Sequence, residues 1–182
     1  MTLSKLSLLV LLAAGCDNFL DLRVQTEALC VPVASQMFSG ASAPPGPLPL
    51  PGTASKTVMI DFSKPLEQIP GEKAGLKLDA RLDQVFIRSA TADLAFLKRV
   101  KVSLAPGTAD DMLPPLYIGE YVKSGTPPIK EVKIQSSSGV NAIKYLEHEP
   151  AKLIFTATGQ LPPAAFTADV EACVFVQSHG TL

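Results

Sequence analysis

The chain has no tryptophan, only two histidines and only 6% aromatic residues. Exposed Trp and Tyr are the usual stacking platforms of a carbohydrate-binding face, so their scarcity argues against one. No long basic run is present and the formal net charge is −1. Nucleic-acid binding therefore has no electrostatic footprint. No Gly-x-Ser-x-Gly elbow, Walker loop or Gly-x-Gly-x-x-Gly stretch occurs, which removes the common signatures of esterases and nucleotide enzymes. Two histidines without a Cys/His cluster leave a zinc-type centre short of ligands.

The remaining polar candidates are thin. His148 lies between Glu147 and Glu149, but no second His or Cys cluster completes a site, so it reads as an exposed turn. Asp110-Asp111 and the pair Asp79, Asp83 could offer oxygen to Ca²⁺. They lack the dense acidic spacing and turn glycine of a calcium loop, and read as solvated acids. His179 falls in the terminal QSHGTL, expected to fray. The run SSSG at 136–139 opens no helix and reads as a turn. The expectation is a protein that is not an enzyme, with no catalytic residue, no metal and no cofactor.

What is present begins at the N-terminus. Lys5 is a short cationic region, Leu6 to Leu12 an apolar core broken only by Ser7, and Ala13, Ala14 and Gly15 are small. This is the anatomy of a secretory signal, and its apolar stretch is shorter than the roughly 20 residues a membrane span requires. The small residues end on Cys16. Leu12 to Cys16 resembles the bacterial lipobox, with Ala13 standing where Leu is most common and Leu12 one place earlier. The resemblance implies cleavage before Cys16 and acyl chains on that cysteine. Anchoring by more than one chain is the stable form, because a single chain binds marginally. It also implies a bacterial cell-envelope location, at the periplasmic face of the inner or outer membrane or at the cell surface. Asp17 and Asn18 resemble an inner-membrane retention signal of enteric bacteria, while other bacteria sort differently.

Residues 16–182 have the length of one ordinary domain. Three cysteines occur. With Cys16 lipidated, Cys30 and Cys173 form an even pair in an oxidising compartment and are expected to form a disulfide. Both lie in strand-like runs near opposite ends of the mature chain.

Alternation of period two dominates the domain. Residues 19–31 read as a strand on Leu20, Leu22 and Val24. The proline-rich segment 43–52 reads as an extended loop that forbids a ladder. Val58, Ile60 and Phe62 resume the alternation. In 76–88 the phase slips near Asp83 or Gln84, which one inserted residue explains. Asp93 caps one short helical turn at Leu94, Phe96 and Leu97. Val100, Val102 and Leu104 form another strand. Runs at LYIGEYV, IKEVKIQ and FTADVEACVFV each follow a proline pair, and Leu153 to Thr158 add one more. Residues 141–148 fit either a helix or a strand.

About eight strands with one short helical turn predict an all-β antiparallel sandwich, immunoglobulin-like or jelly-roll. The functional expectation is a lipid-anchored, non-enzymatic envelope protein. It would be a binding or structural module whose partners are the membrane, through Cys16, and an envelope protein. The alternatives are a periplasmic carrier or sensor of a small apolar ligand and a metal-dependent hydrolase.

Overall fold

A computed structural model describes residues 21–25, 28–39, 50–69, 77–90, 93–108, 113–125, 130–137, 139, 141–146, 150–161 and 165–181. Among them nine strands run in the order β1 (Asp21–Gln25), β2 (Leu29–Phe38), β3 (Leu50–Ile60), β4 (Lys77–Arg88), β5 (Leu97–Ala105), β6 (Leu116–Val122), β7 (Glu131–Gln135), β8 (Ala151–Leu161) and β9 (Phe166–Thr181). Two short helices, α1 (Ser63–Glu67) and α2 (Ile143–Leu146), and a 3-10 turn at Leu94–Phe96 complete the described elements.

The strands build two antiparallel sheets. One has the order β1-β9-β4-β7, with β2 also on β9; the other has the order β3-β8-β5-β6. Strands β1 and β2 occupy the same edge of β9 in succession: Asp21–Gln25 face Gln177–Thr181, and Leu29–Phe38 face Phe166–Val174. Counted as one lane, they leave eight lanes in two four-stranded sheets. Successive strands alternate between sheets from β2 to β5, pass within one sheet to β6, and return through β7, β8 and β9. That is the double Greek-key order of a jelly roll. The expected sandwich is present, and this order separates it from the immunoglobulin arrangement.

The period-two pattern explains the layers. In β5, Val100, Val102 and Leu104 are buried while Arg99 and Lys101 are exposed. In β9, Ala168, Val170, Ala172, Val174 and Val176 line the interior, where Val58, Ile60, Leu153, Phe155, Ile118 and Ile134 meet them. The expected slip in β4 is a register shift between Leu82 and Gln84 that leaves Asp83 unpaired. It returns Val85 and Ile87 to the core face. Asp93 accepts the Ala95 amide at 2.8 Å and caps the 3-10 turn, which buries Leu94 over the end of the sandwich.

Three expectations need correction and one open reading is resolved. Residues 19–31 are not one strand: β1 ends at Gln25, and β2 starts at Leu29 and runs on to Phe38. The segment 43–52 does not end outside the ladder, because Leu50, Pro51 and Gly52 pair with Leu161, Gln160 and Gly159. β3 is an edge strand, where a proline without an amide proton is tolerated. The terminal QSHGTL does not fray before Thr181, since β1 and β4 pair with it from both sides. In the segment left open between helix and strand, Ile143–Leu146 form a single helical turn. Asn141 receives the Ile143 amide at 3.0 Å as its cap and the Ala80 amide at 2.9 Å as a substitute strand partner.

Two glycines permit close approach. A Cβ on Gly159 would lie 2.2 Å from the Phe96 carbonyl oxygen, where β8 meets the bulge at the start of β5. A Cβ on Gly119 would lie 2.4 Å from the Gln135 carbonyl oxygen, where β6 turns toward β7 and the two sheets meet.

The register also sorts the connections. β1, the end of β9 and the start of β4 lie together at one end of the sandwich. The β3–β4, β5–β6 and β7–β8 connections leave from that end. The β2–β3, β4–β5, β6–β7 and β8–β9 connections leave from the other.

Candidate functional site

The outer face of the β2-β9-β4-β7 sheet collects most of the chemistry-bearing side chains. Alternation along β9 sends Asp169, Glu171, Cys173 and Phe175 outward from the core residues between them. Cys30 on β2 lies directly opposite Cys173 with Cα atoms 4.0 Å apart, and their sulfurs form the expected disulfide across a sequence separation of 143. Cys173 is buried and Cys30 exposed. Glu171, two residues before Cys173, shares its face. One ligand atom from each of Cys30, Cys173 and Glu171 falls within 4.8 Å of the others. A disulfide sulfur is not a thiolate, and the thiolate is the metal ligand. The bridged state therefore offers only the carboxylate.

On the far side of Glu171 sits Arg88. Its Nε donates to Glu131 at 2.5 Å and its NH1 group donates to Glu171. These bonds, Glu131 first and Glu171 second, hold the Arg88 guanidinium above its usual pKa. The guanidinium also lies 4.4 Å from the ring centre of Phe86, with the Lys133 ammonium at 5.7 Å. The aromatic–arginine combination was not legible in sequence. Phe86, Arg88, Lys133 and Glu171 come from three strands, and only the register of β7, β4 and β9 brings them together.

Of the acids singled out in sequence, Asp79 and Asp83 have structural partners, as does Asp61 at the end of β3. Asp79 receives the Asn141 amide and lies 3.6 Å from His179 Nδ1. Asp83 receives the Gln135 side-chain amide at 3.0 Å. Asp61 accepts both the hydroxyl and the backbone amide of Ser63, at 2.6 and 2.9 Å. These bonds pull its carboxyl below the ordinary value. The Ser136 amide donates to the Asp83 carbonyl and the Ser137 amide to the Ile118 carbonyl, which ties the end of β7 to β4 and β6. Cys16, His148 and Asp110-Asp111 lie outside the described residues.

An apolar cleft opens at the end away from β1. Phe38 stacks on Phe166 with ring centres 5.3 Å apart and meets Phe155 edge-on at 6.1 Å. Phe96 closes on Phe166 at 5.1 Å. Leu97 and Lys56 complete the wall. The cleft volume is 20 Å³, room for about one water and far below the roughly 300 Å³ at which ligand pockets begin. It offers a contact surface rather than a chamber.

No protein-family model matches the chain, and no curated protein matches it. Among solved structures it is similar to a Desmodium yellow mottle tymovirus chain, at TM-score 0.37 and 10% identity over 97% of each chain. It is also similar to the decameric BFDV capsid protein, at TM-score 0.35 and 9% identity over 88% of this chain and 98% of that one.

Proposed function

We propose that the protein is a lipid-anchored, non-enzymatic module of the bacterial cell envelope, tethered through acyl chains on Cys16 and presenting its sandwich to an envelope protein partner. The observation that carries this reading is the position of β1. It begins at Asp21, five residues after Cys16, and is paired along its length with the end of β9. Five residues span at most about 18 Å when fully extended. An acyl chain on Cys16 thus ties the β1/β9 end of the sandwich to the headgroup layer with almost no linker. The β2–β3, β4–β5, β6–β7 and β8–β9 connections and the aromatic cleft then face away from the lipid, toward the partner.

The non-enzymatic part is supported by the way polar groups are used. Asp79, Asp83, Glu131 and Glu171 each bind a side chain of a neighbouring segment. They act as fasteners between strands. Against a carrier of a small apolar ligand stands the 20 Å³ cleft.

Two experiments test the reading. Metabolic labelling with a palmitate analogue is expected to mark the wild type and to fail on Cys16→Ser. Label retained by that variant refutes the anchor. Crosslinking followed by purification from detergent-solubilised membranes is expected to recover a stoichiometric protein partner, and recovery of the protein alone refutes the binding module.

A further inference from the structure

We propose that Cys30, Cys173 and Glu171 form a redox-gated binding site for a soft divalent cation of the Zn²⁺ type, closed while the disulfide stands and opened by its reduction. The proposal concerns the sheet face alone and does not rest on the lipid anchor.

The geometry is set by backbone register. Cys173 and Glu171 are two residues apart on one strand and share its outer face. Cys30 is the direct cross-strand partner of Cys173, and Pro32 that of Glu171. Three donors of suitable type therefore stand on one patch, all within 4.8 Å of one another. A tetrahedral zinc with sulfur at about 2.3 Å and oxygen at about 2.1 Å needs donors roughly 3.5 Å apart. On reduction the two sulfurs move apart to that spacing, and side-chain rotation brings the Glu171 carboxylate oxygen toward them. Two thiolates and one carboxylate select a soft or borderline cation over Mg²⁺ or Ca²⁺. Three protein ligands leave a fourth position, and exposed Cys30 places it at the solvent side.

Arg88 is the positioning residue. It donates to Oε2 of Glu171 and leaves Oε1 to turn toward the sulfurs. Its charge also offsets the excess negative charge of two thiolates and a carboxylate around a divalent ion. An outer-shell donor of this kind orients the ligand and tunes its affinity.

The redox step balances. A dithiol reductant gives two electrons and two protons to the Cys30–Cys173 disulfide and becomes a disulfide itself. The S–S bond breaks and two thiols form. The cation then displaces both thiol protons to solvent as two metal–sulfur bonds and one metal–oxygen bond form.

Co²⁺ is the probe, because its thiolate complexes absorb strongly and report tetrahedral geometry. The mature protein is reduced without oxygen, the reductant is removed, and Co²⁺ is titrated. One equivalent is expected to bind with a sulfur-to-cobalt charge-transfer band, and Zn²⁺ is expected to displace it. Oxidised protein is expected to give no band. Glu171→Gln is expected to weaken binding at least tenfold, and Cys30→Ser to abolish the band. Circular dichroism of the same samples separates binding by the fold from binding by loose thiols. If the reduced chain is unfolded, Zn²⁺ is expected to refold it, as metal binding does when it is coupled to folding. The proposal is overturned by a reduced protein that shows no band, by a band that Glu171→Gln leaves equally tight, or by an unfolded reduced chain that Zn²⁺ does not restore.

Discussion

Reducing the Cys30–Cys173 disulfide in the presence of a chelator should lower stability by about 5 kcal/mol. The figure comes from the unfolded chain. The bridge closes a loop of 143 residues, and the chain-entropy model for a loop of that length gives about 17 cal/mol/K, or about 5 kcal/mol at 25 °C. For a domain of this size each kcal/mol moves the melting temperature by about 2–4 °C, so the expected drop is about 10–20 °C. Native packing should change little, because eight residue pairs hold β2 to β9 without the sulfurs. Comparing oxidised and reduced wild type avoids the cavity that a substitution at buried Cys173 would leave. The assay is urea unfolding followed by circular dichroism. The midpoint should fall while the slope rises, because an uncrosslinked chain exposes more surface when it unfolds. Domains of this class hold only about 5–15 kcal/mol in total, so the reduced protein is expected to be marginal at physiological temperature. A loss under about 1 kcal/mol with an unchanged slope would refute the reasoning. It would mean that the bridge does not restrict the unfolded ensemble.

Gly159→Ala should cost about 2–3 kcal/mol, read as a lower urea midpoint, because its Cβ would meet the Phe96 backbone carbonyl, which cannot swing aside. An unchanged midpoint would show that the bulge at Leu97/Arg99 relaxes freely. Arg88→Gln should cost about 0.5–1 kcal/mol in low salt and much less in 1 M salt. Its partners Glu131 and Glu171 are 46% and 25% exposed, so screening is effective; a loss insensitive to salt would move the weight to the Phe86 stacking. Asp61 has a folded pKa below its ordinary value, owing first to the Ser63 hydroxyl and then to the Ser63 amide. Its contribution is therefore present above the unfolded carboxylate pKa of about 3.9 and lost as pH falls through the folded value. Asp61→Asn should lower stability slightly at neutral pH, converge with the wild type at acid pH and so flatten the fall of stability in that acid window, and an identical acid limb in the variant would contradict the assignment.

The fold was readable where one residue carried both a local rule and a burial consequence. Asp83 is such a case: one extra residue must restore the phase of Leu82 and Val85, and it does so as an unpaired position. Asp93 is another, since its cap can be read from type and position alone. Legibility failed where tertiary pairing decided the outcome. Pro51 is allowed in β3 only because that strand lies at an edge, and edge position follows from topology. His179 is held because β1 and β4 reach the end of β9 from both sides, a pairing across most of the chain. The cysteine pair was legible from counting. The Glu171 carboxylate beside it and the Arg88 that holds it were not, because three strands must be aligned before they meet.

The jelly-roll order also constrains how such a module can work. Antiparallel lanes divide every connection between two ends of the sandwich, and here both termini of the sheet ladder, Asp21 and Thr181, fall at the same end. A tether at the N-terminus therefore removes only one end from use. The opposite end stays free and carries Phe38, Phe96, Phe155 and Phe166 in one contact cluster. The disulfide sits between the two, near the middle of β9, where a pull applied at β1 would otherwise peel β2 from the sheet edge strand by strand. Unzipping from an edge breaks one pair at a time, whereas a covalent link at Cys30–Cys173 forces the remaining ladder to fail together. If the proposed tether at Cys16 loads the domain through β1, a bridge at that point, ahead of the part of β2 that packs on the core, gives the greatest resistance to peeling.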